Sequence, residues 1–130
     1  MALNPNYETI GKSFVEQYYT MFDNVLTRPN LANLYNAEAS FMTFEGQQLQ
    51  GALKIMEKFN SLAFKNITRV ITAVDSQPMF DGGVLITVLG RLQCDDDPPH
   101  PFHQVFVLKP AGTSFFCQHD IFRLGIHDTA

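Results

Sequence analysis

The chain has no tryptophan, only two cysteines and only nine lysines and arginines among its 130 residues. Each shortage excludes something. Cys94 and Cys117 are too few for a disulfide framework or a cysteine-built zinc site. Both sit in strand-like runs, where a small buried hydrophobe is the plain reading; a single bridge between them stays open. A reducing intracellular compartment is expected. The nine bases stand against thirteen acids, for a net charge of −4, and they are scattered singly. Without a basic patch, nucleic acid and anionic membrane surfaces are not expected as the main partner. An acidic surface favours a basic protein partner instead. No apolar run approaches the ~18–20 residues that span a bilayer. Residues 1–10 lack a positive n-region and an apolar h-region, so neither a signal peptide nor membrane insertion is expected. Phosphate loops, dinucleotide-binding glycines, nucleophile elbows and paired helical histidines are all missing. No nucleophile, cofactor or metal is expected.

What the chain does have is apolar content (45%) and twelve phenylalanines. That suits a single domain, residues 1–130, with an aromatic core. Residues 5–23 repeat Tyr7, Ile10, Phe14, Tyr18 and Phe22 at three- and four-residue steps, the mark of a long helix. Residues 27–30 read as loop, and Leu31, Leu34 and Tyr35 mark a short second helix. Residues 40–44 and 47–50 form a hairpin around Glu45-Gly46. Residues 51–62 return to helical period. Four strands follow: 66–77, 84–94, 102–109 and 115–126. Turns at 81–83 and 110–114 and a proline-rich break at 95–101 separate them. The expected fold is α+β, with a long N-terminal helix and two shorter helices on a strongly curved antiparallel sheet. Such a sheet curls into a cone with a cavity at its mouth. Strand runs such as 84–89 are apolar on both faces. Helices cover one face, and a second copy of the chain is the simplest cover for the other, so a homodimer is expected.

Few residues invite chemistry. The run Asp95-Asp96-Asp97 sits at a strand end beside prolines, hence at a rim. It reads as a solvated loop, a dock for Lys or Arg of a partner, or a divalent metal site without the spacing of a calcium loop. Glu45, in the hairpin turn, is an exposed turn acid or another rim carboxylate. Of His100, His103, His119 and His127, only His103 lies on an alternating strand where it could face the cavity. His119 and Asp120 are adjacent on a strand and so face opposite sides. Tyr7 and Phe44 are the aromatics expected to be exposed, as shallow docks for aromatic side chains.

Four segments together resemble the nuclear transport factor two family: residues 14–23 (FVEQYYTMFD), 44–51 (FEGQQLQG), 95–98 (DDDP) and 120–124 (DIFRL). The resemblance covers essentially the whole chain, in order and with similar spacing. It implies a homodimeric carrier, not an enzyme, that takes Ran in its GDP form into the nucleus. It implies a phenylalanine of the Ran switch II region in the cavity, with Glu45, Asp95 and Asp97 as the Ran-binding acids. It implies binding of phenylalanine-glycine nucleoporin repeats at Phe44 and Tyr7, which stand where the vertebrate pattern has tryptophan. Its implied locations are cytoplasm, nucleus and nuclear pore complex. The rival reading is a cone-fold isomerase or dehydratase, which requires Asp95, Asp97 or His103 deep in the cavity.

Overall fold

The structure, a computed structural model, describes residues 3–63 and 65–125. Helix α1 is Tyr7–Phe22, and Phe14, Val15, Tyr18, Tyr19 and Phe22 form its buried face. It starts two residues later than the proline signal suggests. Asn4 Oδ1 accepts the Asn6 N–H at 2.9 Å, a local turn that competes with the first helical turn. The second helix is a 3₁₀ helix, Arg28–Leu34. Its three-residue turn accounts for Leu31 and Leu34 on one side. It also takes in residues expected as loop, because Pro29 near its start lacks only an N–H that would be orphaned anyway.

Strands β1 (Phe41–Phe44) and β2 (Gln47–Gln50) are joined through Glu45 and Gly46. Both turn residues have positive φ, 50° and 87°, as a tight hairpin of this twist requires. Helix α2 is Ala52–Asn60, with Ile55 and Phe59 buried. The long strands are β3 (Ile67–Pro78), β4 (Val84–Cys94), β5 (His100–Ala111) and β6 (Ser114–Leu124). Strand β5 starts earlier than expected and includes Pro101, which pairs with Arg91 near the strand end, where a proline costs little. The expected extension of the last strand to Ile126, and His127 beyond it, lie outside the described residues.

All six strands form one sheet in the order β2-β1-β6-β5-β4-β3. It is mixed rather than wholly antiparallel, because β1 pairs with β6 in parallel, Met42 opposite Asp120. The short-turn rule fixes only strands adjacent in sequence, and these two are the first and last strands of the sheet in chain order. Bulges between Ile71 and Ala73 and between Val107 and Leu108 bend the sheet. At the bend, a Cβ on Gly90 would collide with the Val70 carbonyl. The three helices pack on the inner face over one core that includes Phe14, Tyr18, Phe59 and Phe106. The outer face carries Phe41, Leu89 and Ile121, which are 45%, 53% and 42% exposed.

Candidate functional site

Between α1 and the bent sheet lies a cavity of about 140 Å³. Its walls come from every part of the chain: Tyr18, Tyr19 and Phe22 of α1, Met42 and Phe44 of β1, Leu62 after α2, Ile67 of β3, Leu92 and Cys94 of β4, and Phe122 of β6. The surface is almost wholly apolar. Apolar cavities of roughly 150 Å³ hold a benzene ring, so this one suits a single aromatic side chain. Its charged lining groups are Glu45 and Arg69.

Glu45 is held in place. Its N–H donates to the Phe122 carbonyl at 3.0 Å, and its Oε1 accepts the Leu124 N–H at 2.6 Å. It is partly buried at the edge of the cavity. Asp95 follows the lining residue Cys94 and also has positive φ, 50°. Its Oδ1 accepts the Asn66 N–H at 2.9 Å and the Lys65 N–H at 3.1 Å. The carboxylate thus ties the start of β3 to the end of β4. Asp97 is exposed, and its N–H donates to the Cys94 carbonyl at 3.0 Å. So Glu45 lies within the lining, and the acidic run begins one residue after the lining residue Cys94, at the end of β4.

Phe44 and Tyr7 are half-buried, less exposed than their positions suggest. Phe44 stacks on Phe122 at 5.1 Å, and the Lys58 ammonium lies 5.3 Å from its ring. Tyr7 opens α1 and packs on the core edge. Fifteen residues of helix, about 22 Å of rise, separate it from Phe22, which lines the cavity with Phe44. The structure does not bring these two aromatics together. His103 is exposed on the outer face, opposite Leu89 and Arg123, not toward the cavity. His119 is also outside, stacked on Phe41 at 6.0 Å, while Asp120 points inward.

Two further polar groups matter: Arg69, which the sequence pattern does not single out, and Asp120, whose inward facing it gives without its partners. Arg69 pairs with Asp23 through Nε at 3.0 Å and Nη2 at 2.7 Å. Its guanidinium also lies 4.1 Å from the Tyr19 ring and 5.0 Å from Phe102. This charge is neutralised and stacked, so the cavity wall beside it stays effectively apolar. The second is Asp120, fully buried. Its Oδ2 lies 3.1 Å from Tyr18 Oη and 2.7 Å from Tyr35 Oη, and its Oδ1 accepts from Gln104 Nε2 at 2.7 Å. Tyr19 Oη donates to Gln104 Oε1 at 2.7 Å. The signal was there: Arg69, Gln104 and Asp120 are polar residues at inward positions of alternating strands.

Asp120 is an acid whose carboxyl burial pushes up, yet it does not line the cavity; its partners Tyr18 and Gln104 do. Asp95, Asp97 and His103 are all exposed. Both cysteines are free. Burial pushes both thiols above the ordinary range, so neither is a ready thiolate. Among the described residues, no three His, Cys, Asp or Glu side chains gather in a metal-holding group. No described helix is long and apolar enough to cross a membrane.

A family model described as the nuclear transport factor 2 (NTF2) domain matches residues 10–124. The chain is 43% identical to nuclear transport factor 2 of Saccharomyces cerevisiae, over 92% of this chain and 94% of that one. It is 44% identical to nuclear transport factor 2 of Oryza sativa, over 90% and 95%. The solved structure of nuclear transport factor 2 from Cryptosporidium parvum superposes with a TM-score of 0.89 at 42% identity, covering 95% of this chain and 98% of that one.

Proposed function

The chain belongs to the nuclear transport factor 2 family, and from that premise we propose that it carries Ran in its GDP-bound form into the nucleus. Its role lies in nuclear transport, as a carrier and not an enzyme. The observation that carries the Ran reading is the apolar, ring-sized cavity with Glu45 in its lining and Asp95–Asp97 starting at its edge. Such a site suits one aromatic anchor flanked by cations. The phenylalanine of switch II supplies the anchor and most of the affinity. Basic switch residues meet Glu45, Asp95 and Asp97, which supply orientation and on-rate. Discrimination between nucleotide states needs no contact with nucleotide. It needs only a switch segment that presents its phenylalanine in one state and withdraws it in the other.

Phenylalanine-glycine nucleoporin repeats bind at Phe44 and Tyr7 in this reading. Phe44 offers a half-buried ring with the Lys58 ammonium 5.3 Å from its centre. Small aromatic contacts of this kind break quickly, which suits passage through the pore. The exposed apolar outer face of the sheet is the surface for a second copy, giving a homodimer. The protein then shuttles between cytoplasm, nucleus and nuclear pore complex.

The rim assignment has a direct test. Asp95→Asn keeps an Oδ1 acceptor for the N–H groups of Lys65 and Asn66, and asparagine tolerates the positive φ at this position. Asp97→Asn alters only an exposed charge. Each is expected to weaken Ran-GDP binding about two- to fivefold, in the range of exposed ion pairs, and to flatten its dependence on salt. Thermal midpoints should not move. If neither variant changes the salt slope in a calorimetric series, the acidic run is a solvated loop.

A further inference from the structure

Asp120 Oδ2, Tyr18 Oη and Tyr35 Oη form a triangle with sides of 3.1, 2.7 and 2.8 Å. Two sides have ordinary hydrogen-bond length and the Tyr18–Asp120 side is slightly longer, and each needs one proton to be a hydrogen bond. The two phenols supply one proton each. A carboxylate supplies none. With Asp120 ionised, one side of the triangle is therefore two oxygens in contact with no hydrogen between them. The other carboxyl oxygen, Oδ1, is occupied by the Gln104 N–H at 2.7 Å, which leaves Oδ2 as the place for a third proton. We propose that Asp120 binds a proton that closes this ring, and that the proton thereby positions Tyr18 and the floor of the cavity. In the closed ring Asp120 donates to Tyr18, Tyr18 donates to Tyr35, and Tyr35 donates back to Asp120.

The consequence reaches the cavity because Tyr18 and Gln104 both line it, and Gln104 in turn holds Tyr19. Loss of the proton opens one side of the ring, and the Tyr18–Asp120 side, the longest at 3.1 Å, is the one expected to give, which releases Tyr18 from Asp120. Asp120 is thus a positioning residue, directly behind the side chains that line the cavity. This inference concerns the cavity itself and holds whatever occupies it.

The surroundings favour the neutral acid. Tyr18 of α1, Tyr35 after the 3₁₀ helix and Gln104 of β5 touch Asp120, Met42 of β1 pairs with it, and Tyr19 of α1 and Cys117 on its own strand are the further titratable neighbours. None is a cation. Burial pushes the Tyr18 and Tyr35 phenols and the Cys117 thiol well up, so they stay neutral. Burial raises the Asp120 carboxyl from 3.8 to about 6, against the three hydrogen bonds that lower it. Between those two values the folded chain holds a proton that the unfolded chain has released. The stabilisation is full below the lower value and is lost as the pH rises through the upper one.

The experiment is a carbon-13 NMR titration of the Asp120 carboxyl and the Tyr18 ring in the full chain from pH 4 to 8. Both signals are expected to move with a common midpoint near 6. In Asp120→Asn the Tyr18 step should vanish. Relative to that variant, the wild-type folding constant should fall on the order of 100-fold between pH 4 and 7. A carboxyl that titrates near 4, or a Tyr18 signal indifferent to the Asp120 titration, overturns the proposal. The wild-type titration decides the matter alone if the variant does not fold. The exposed His119, on the opposite face of β6, is followed by its own ring signals.

Discussion

Glu45→Lys is expected to lower affinity for Ran-GDP at least ~100-fold, the scale on which an interfacial charge pair is lost and replaced by repulsion. The position makes this the most sensitive rim substitution. Glu45 lies in the cavity lining itself, whereas Asp95 and Asp97 stand one and three residues past the lining residue Cys94. Its carboxylate is already oriented by the Leu124 N–H, so little side-chain entropy remains to be lost on binding. The same hydrogen bond adds a cost. Lysine offers no acceptor, and the orphaned N–H destabilises the fold by about 1–3 kcal/mol. Glu45→Gln separates the two effects, because it keeps an oxygen for Leu124 and removes only the charge. Glutamine should preserve the thermal midpoint and still lose about tenfold in affinity. Calorimetry on both variants, with sedimentation to check that the oligomeric state is unchanged, tests the prediction. Unchanged affinity in Glu45→Lys would remove Glu45 from the binding rim.

Phe106→Ala should cost about 3–5 kcal/mol, the range for deleting a fully buried aromatic ring. Phe106 is completely buried. Its ring meets Phe14 at 5.0 Å and Tyr18 at 4.8 Å, both edge-on. It is therefore the point where α1 is fastened to the sheet behind the cavity. Native stabilities of ~5–15 kcal/mol leave little after such a loss. Urea unfolding measures it. A loss below about 1 kcal/mol would mean that α1 is not held to β5 in this way.

The sequence made the helices and strands legible because each repeats with its own period. Tyr18 and Phe22 follow the helical step, and Phe102 and Phe106 alternate with outward residues. Glu45-Gly46 announced its turn through residue type. What it did not disclose depended on contacts between distant segments. The parallel pairing of β1 with β6 joins Phe41–Phe44 to a strand near the other end of the chain, and no local signal carries that. His103 was open to either face until the register put Phe102 and Gln104 inside. The anchoring of Asp95 on Lys65 and Asn66 spans thirty residues. For Asp120 the adjacency argument gave the right facing but not the partners, since Tyr18, Tyr35 and Gln104 come from three other segments.

The carrier reading and the cavity geometry meet in one measurement: calorimetric titration of the purified chain with Ran loaded with GDP and, separately, with GTP. The account predicts saturable binding of the GDP form, weakened by added salt, and no heat with the GTP form. Equal binding of both forms, or binding of neither, would contradict it.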